Sequence, residues 1–403
     1  MPFRDQRWLA LWAAMLGYML DAMDVLLYVF AIQTLRAEFH WSAATAGLVS
    51  SVTLIASSFG GVAAGMLADR IGRSRTLVYT ILTYSIASGL SATSTGIATL
   101  LVWRMFVGLG LGGEWSAGAV LVSEHWPAEH RAKAIGLMQS GWAIGYMLAA
   151  VLTALVLPRF GWRVLFLAGV LPALLTIWIQ RHVKEPEIWT KRSAAVPIRA
   201  LFRPPLGRRT FLATALATSV LFAYWGVNTW LPGFLSASKT QGGAGLDILQ
   251  TSTWIFTMQI GAFLGYVTFG WLADRFGRRP VFFVYVVAAA ILTPVYGLTP
   301  RWGGAAAETW LFILGPFLGF FGTGFFSLFG AMLAELYPTA VRGTGQGFVY
   351  NVGRAASALA PFTVGAIADR RGIGAGLALN SAFFLTGAIL IFTLPETKNT
   401  ELA

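Results

Sequence analysis

Twelve apolar runs of about twenty residues, joined by short links that carry most of the charge, follow one another along the chain. A run of that length is what a helix needs to cross the roughly 30 Å hydrocarbon core of a bilayer. No water reaches that core, so backbone groups must pair within the segment, and each run is predicted to be helical. The predicted spans are 8–35, 44–68, 75–93, 96–122, 133–157, 162–181, 210–236, 251–272, 280–298, 307–335, 345–368 and 374–394. The fold class is therefore an all-α membrane protein with twelve transmembrane helices.

Composition removes the soluble alternative. Apolar residues make up 56% of the 403 and charged residues 11%, against about 25% charge in ordinary soluble domains. Arg4 and Arg7 ahead of the first run imitate a signal peptide, but that run is too long and holds Asp21 and Asp24, so it reads as a retained span. Cysteine is absent, which excludes disulfides, thiolate metal sites and thiol nucleophiles. Of the four histidines, His125 and His130 read as a wetted pair at the end of a span, and no metal site is expected.

A net charge of +12 would suit a nucleic-acid binder if the cations shared a face. They do not. Of 29 Lys and Arg, 20 fall in links on the side of the N-terminus, and Arg36, Arg159, Arg163, Lys239, Arg301, Arg370 and Arg371 fall on the other side. Arg104 and Arg354 lie inside spans. The asymmetry predicts both termini to be cytoplasmic, in a cytoplasmic membrane, with lipid and not nucleic acid as the surrounding partner.

The longest link, 182–209, carries seven of the cations, eight when Arg181 at its edge is counted, and contains Pro204 and Pro205. It separates 1–181 from 210–403, six spans on each side. The halves repeat one another. Gly65-Met-Leu-Ala-Asp69-Arg70-Ile-Gly72-Arg73 follows span 2, and Gly270-Trp-Leu-Ala-Asp274-Arg275-Phe-Gly277-Arg278 follows span 8. Glu124, Pro127 and Arg131 after span 4 match Glu335, Pro338 and Arg342 after span 10. Motifs repeated in order at nearly one offset predict two six-helix bundles related by an axis along the membrane normal.

The duplicated G-x-L-A-D-R-x-G-R sequence resembles the signature loop of the major facilitator superfamily. The resemblance covers the whole chain and extends to Arg104-x-x-x-Gly108-x-Gly110-x-Gly112, Lys184-Glu-Pro-Glu-Ile-Trp189 and Pro395-Glu-Thr-Lys398. Within that superfamily, Asp21-Ala-Met-Asp24 is similar to the D-G-x-D element of the metabolite:proton symporters, with Ala22 in place of the glycine. Gly112-Gly-Glu114-Trp and Asn351-Val-Gly-Arg354 resemble the branch that carries sialate and small monocarboxylates more than the aromatic-acid branch. The resemblance implies that Asp69, Arg70 and Arg73, their counterparts Asp274, Arg275 and Arg278, and the pairs Glu124 with Arg131 and Glu335 with Arg342 form latches between helices.

Charges at bilayer depth point to the site, because each costs at least about 2.5 kcal/mol there without a partner or a polar cavity. Five qualify: Asp21, Asp24, Arg104, Glu114 and Arg354. A network of buried ion pairs would account for all five structurally. Asp21 and Asp24 stand about 60° apart on one helix face and can share a proton-coupling environment, with Glu114 as a further acid. Arg354, with Asn351 and Tyr350 beside it, offers the planar fork that fits a carboxylate, and Arg104 is the second such candidate. Trp115, Trp225 and Trp254 lie within spans, and with Tyr224, Asn228 and Gln259 they are expected to line a cavity. Several other tryptophans fit an interfacial belt. The glycines of span 4 have no preceding strand and do not make a phosphate loop.

No nucleotide motif and no catalytic constellation is present, so the chain reads as a secondary transporter and not an enzyme, with the proton as coupling ion and no cofactor. A channel or a non-transporting sensor fits less well. The expected activity is proton-coupled symport of a small organic acid anion by a monomer, with lactate or pyruvate first and sialate or an aromatic acid next. The alternative is a sugar symporter or drug antiporter of the same fold.

Overall fold

A lipid solvent leaves these runs no choice but helix, and in the computed structural model, which describes residues 5–126, 128–184, 198–337 and 342–397, no strand occurs among the described residues. Span 1 is the helix Gln6–Phe39, span 2 Ala43–Ile71, span 3 Arg73–Ser91 and span 4 Ile97–His125. Spans 5 and 6 meet in Ala128–Leu167, which bends at Gly161, where φ is 75° and ψ 176°; span 6 then runs through Pro172–His182. Spans 7, 8 and 9 are Leu206–Ser236, Ile248–Phe276 and Arg278–Trp302. Span 10 is Ala307–Thr323 with Phe326–Leu336, span 11 Arg342–Ser357 with Leu359–Arg371, and span 12 Ile373–Ala378 with Asn380–Leu390. All twelve expected spans are present.

Nine stretches among the described residues are long and apolar enough to cross a membrane on composition alone, and one of these, Ala134–Ile179, holds spans 5 and 6 together. The difference from twelve lies also in spans 3 and 11, which carry the Ser, Thr, Asn and Arg side chains that turn inward. The interruption of span 11 after Ser357 has a local cause. Pro361 brings no N–H and its ring crowds the carbonyl four residues earlier, which is that of Ser357. Span 7 begins at Leu206, four residues before the expected position, and residues 185–197 of the link lie outside the described residues.

Within the first half, span 4 packs on spans 2 and 3, and span 1 on span 5; in the second half, span 8 packs on span 10 and span 7 on span 11. The halves meet along spans 2 and 11 and along spans 5 and 8. Glycine sets how closely the first pair approaches, since Gly47 lies against the carbonyl of Pro361 and Gly61 against the side chain of Asn351. Gly108 and Gly112 rest on the span 2 backbone at Thr53 and Ser57, while Gly110 faces span 3 at Thr80 and Tyr84. The glycine run of span 4 is thus a packing device, as its setting in an apolar span requires.

Two helix starts borrow carboxylates from elsewhere in the chain. Glu396, in the Pro395-Glu-Thr segment, accepts from the backbone N–H of Arg278 at 2.9 Å and of Arg279 at 3.0 Å, at the start of span 9. Asp369, at the end of span 11, accepts from the N–H of Ala43 and of Ala44, both at 3.0 Å, at the start of span 2. Each satisfies donors that an uncapped helix leaves orphaned. The second does so across the two halves.

Candidate functional site

Tyr18, Asp21, Val25 and Tyr28 recur at steps of three, four and three, which places them on one face of span 1. That face borders a narrow cavity between the halves. Span 2 contributes Ser50, Thr53 and Ser57, span 4 Arg104, span 5 Trp142, span 7 Trp225 and Thr229, and span 11 Arg354. Four aromatic side chains and a few polar groups thus surround two arginines and one carboxylate.

The charges in and around this cavity are buried without closing on one another. Asp21 is 3% exposed, Arg354 7% and Arg104 1%. Among the described residues, no ion pair within 4.0 Å joins any of the five intramembrane charges. The expected alternative of a closed ion-pair network is therefore not what the structure contains. Asp21 Oδ1, Asp24 Oδ2, both carboxylate oxygens of Glu114, Arg354 Nε, and Arg104 Nε and Nη1 have no hydrogen-bond partner. The guanidiniums lie instead over rings, Arg104 over Tyr28 with 5.3 Å to the centroid and Arg354 over Tyr350 with 4.9 Å. Cation–π contact softens burial but leaves the N–H forks unfilled.

The two aspartates part company. Asp21 lies in the cavity, where Arg354 is the cation acting on it. Asp24 accepts a short hydrogen bond from Ser88 of span 3, lies against Gly169 of span 6, and has Arg104 as its cationic neighbour. Glu114 sits deeper toward the termini, packed on Gly17 of span 1, outside the cavity lining, and the charge of Asp21 still reaches it.

The remaining expected ligands are dispersed. Trp115 stacks on Tyr350 with centroids 4.3 Å apart and donates from Nε1 to Gln139 at 3.0 Å, so this pair closes the space beneath the cavity. Asn351 donates to the carbonyl of Gly347 at 3.0 Å, and its Oδ1 is left unpaired against Gly61. Tyr224 packs edge-on to Trp225 and Phe326 behind the cavity wall. Asn228 and Gln259 line a separate pocket with Thr293 and Thr323. Trp254 lies outside both cavities: its Nε1 donates to the carbonyl of Glu308 at 3.1 Å and its ring meets Phe312. A tryptophan near the end of a span tends to face a neighbouring helix or the interface, which is why its sequence position misleads.

Tyr18, Tyr28, Trp142 and Ser57 were not singled out in the sequence. For Tyr18 and Tyr28 a signal existed, their helical phase with Asp21. Trp142 and Ser57 carry no such signal, because only the packing of spans 2 and 5 against span 1 turns them inward.

Of the expected latch residues, Arg278 donates to Glu335 at 3.3 Å and to the carbonyl of Ala273 at 3.2 Å, tying the start of span 9 to the end of span 10. Arg275 lies over the rings of Trp271 and Phe276. The side chains of Asp69, Arg70, Arg73, Glu124, Arg131, Asp274 and Arg342 lie outside the described residues.

Comparison with known proteins places the chain in a family. A family model described as Major Facilitator Superfamily matches residues 14–246 and 241–403. A cis,cis-muconate transport protein of Acinetobacter baylyi is 32% identical, over 96% of this chain and 94% of its own. A sialic acid transporter of Escherichia coli is 28% identical, over 96% of this chain and 94% of its own. The crystal structure of a D-xylose-proton symporter, 17% identical, superposes with a TM-score of 0.78 over 98% of this chain and 99% of that one, which speaks for the fold alone.

Proposed function

The chain belongs to the major facilitator superfamily and is an integral, multi-pass transporter, not an enzyme, and we propose that it carries a small organic acid anion together with a proton. The observation that carries this reading is the cavity that holds Arg354, Arg104 and Asp21 with unfilled hydrogen-bonding atoms on all three. An arginine fork without a partner at bilayer depth is a receptor for a carboxylate.

Charge balance supplies the coupling. Empty, the cavity holds Asp21 as the acid acting with Arg354. Arg104 is already matched by Asp24, as Arg354 is by Asp21, so a carboxylate that enters alone adds an unmatched negative charge to a low-dielectric space, which is costly. A carboxylate that enters with a proton on Asp21 leaves the net charge unchanged and frees Arg354 for the substrate. The favourable occupancies are both or neither, which is what symport requires. In this reading Glu114, deeper and outside the cavity, passes the proton toward the face that bears the termini.

Trp142, Trp225, Tyr18 and Tyr28 give the cavity flat apolar walls, which suit a planar unsaturated or aromatic acid better than lactate or pyruvate. The names of the muconate and sialic acid transporters fit the acid class. In this reading 1–181 and 210–403 rock about the cavity while 182–209 links them, the protein acts as a monomer, and both termini face the cytoplasm across the cytoplasmic membrane.

Proteoliposome uptake of labelled cis,cis-muconate, benzoate, sialate, lactate and pyruvate tests the proposal. An inward proton gradient is expected to drive accumulation of at least one acid, and a protonophore to abolish it. Uptake of every acid that ignores the gradient would overturn proton coupling.

A further inference from the structure

Five of the seven cations on the face opposite the termini converge on one cleft. Arg36 comes from the end of span 1, Lys239 from the link between spans 7 and 8, Arg301 from the end of span 9, and Arg370 and Arg371 from the last turn of span 11. The cleft is open to solvent and spans both halves, and among the described residues Asp369 is the only acid lining it. Four segments far apart in sequence are thus folded into a single basic concavity.

The carboxylate there does little to neutralise it. Asp369 is engaged by the N–H groups of Ala43 and Ala44 and has Arg36 at 4.0 Å. Lys239 has Glu308 at 3.8 Å, but both side chains are about half exposed, and such a surface pair is weak. Arg301 spends one N–H on the carbonyl of Arg371 at 3.4 Å, which fastens the rim without cancelling charge. The excess is open to solvent. Its floor, Asp369 with Arg36, is part of the contact that shuts the halves above the central cavity, so an anion in the cleft waits at the closed entrance.

We propose that this cleft is an anion-collecting vestibule, a first station that concentrates the carboxylate substrate before the halves open. The proposal rests on the organic-anion reading of the central cavity. A concave basic surface raises local anion concentration and the encounter rate, and does so less as salt screens it. Its signature is in kcat/KM at low ionic strength.

The test compares the unmodified protein with the variant Lys239→Gln, Arg301→Gln, Arg370→Gln, Arg371→Gln, and with a control that removes four cations near the opposite face, Arg199→Gln, Arg203→Gln, Arg208→Gln, Arg209→Gln. Uptake of benzoate and cis,cis-muconate into phosphatidylcholine liposomes is followed from about 10 to about 200 mM salt. For the unmodified protein and the control, kcat/KM is expected to fall steeply with salt. For the vestibule variant the low-salt value should be at least about fivefold lower and the salt slope nearly flat, with the maximal rate within twofold. An unchanged salt slope in that variant, while uptake persists, would overturn the vestibule and leave the organic-anion reading standing. A second readout needs no transport: anisotropy of a pyrene trisulfonate dye, too highly charged to be cargo, with the protein in neutral nanodiscs. If no carboxylate is carried but dye binding is lost in the vestibule variant and kept in the control, the organic-anion reading fails while the anion site stands. If the effect of the four substitutions arises only when phosphatidylglycerol is added, the cleft serves lipid headgroups, and substrate capture is overturned.

Discussion

At the scale of single residues, the proposed coupling rests on Asp21 and Arg354, with Asp24 behind them. Asp21→Asn keeps the shape and removes the titratable group. Counterflow, which exchanges labelled for unlabelled acid, is expected to persist, whereas accumulation driven by a proton gradient should fall to the level seen with a protonophore. Equal loss of both would count against a coupling role. Arg354→Lys keeps the charge but exchanges the planar fork for a point charge. A rise in KM of at least about tenfold, from the loss of one charge-assisted hydrogen bond at about 1.4 kcal/mol or more, is expected in the same counterflow assay, and near-normal affinity would exclude two-point binding. The sequence placed both aspartates on one helix face, and so they are. It could not show that 60° of rotation is enough to send Asp21 into the cavity and Asp24 to Ser88 and Gly169, because that depends on which spans pack on either side of span 1. The five buried charges were legible because lipid makes each one conspicuous. Their lack of mutual pairing was not, since pairing is a matter of distance and not of composition.

At the scale of elements, the glycines of span 4 decide how close three helices come. Gly112 lies directly on the backbone of Ser57 and Gly61, and neither can move aside as a flexible side chain would. Gly112→Ala therefore forces spans 2 and 4 apart. A loss of roughly 1–3 kcal/mol is expected, seen as a lower melting temperature of the purified protein in detergent. Gly136→Ala in span 5 is the contrasting case, because nothing lies within 4 Å of the added methyl. It should be neutral or stabilising by up to about 1 kcal/mol. Equal effects of the two substitutions would mean that helix propensity and not close approach governs both. Twelve spans could be read from run length, and the bend at Gly161 falls in the short link expected between spans 5 and 6. The breaks within spans 10, 11 and 12 were hidden because an apolar run looks the same whether its helix is straight or interrupted. Of these, only Pro361 gave a local warning.

At the scale of the whole molecule, transport requires the two halves to part on one side of the cavity at a time, so contacts on each side must be strong enough to seal and weak enough to break. Beneath the cavity the seal is the stack of Trp115 on Tyr350. Above it, Gln33 of span 1 donates to the carbonyl of Gly233 in span 7 at 3.3 Å, and Asp369 of span 11 caps span 2. Each is a ring stack, a single hydrogen bond or a cap, modest enough to be remade in every cycle. The absence of cysteine anywhere in the chain makes this testable without background. Gln33→Cys combined with Gly233→Cys places one thiol on each half at the upper seal. A short bis-thiosulfonate reagent should bridge them, stop uptake almost completely, and release it again on reduction, while either single variant treated in the same way keeps its activity. If bridging is verified by mass and uptake continues, the upper seal does not open during transport. The halves would then move by some path other than rocking about the cavity, and the vestibule above that seal would lose its place on the substrate's route.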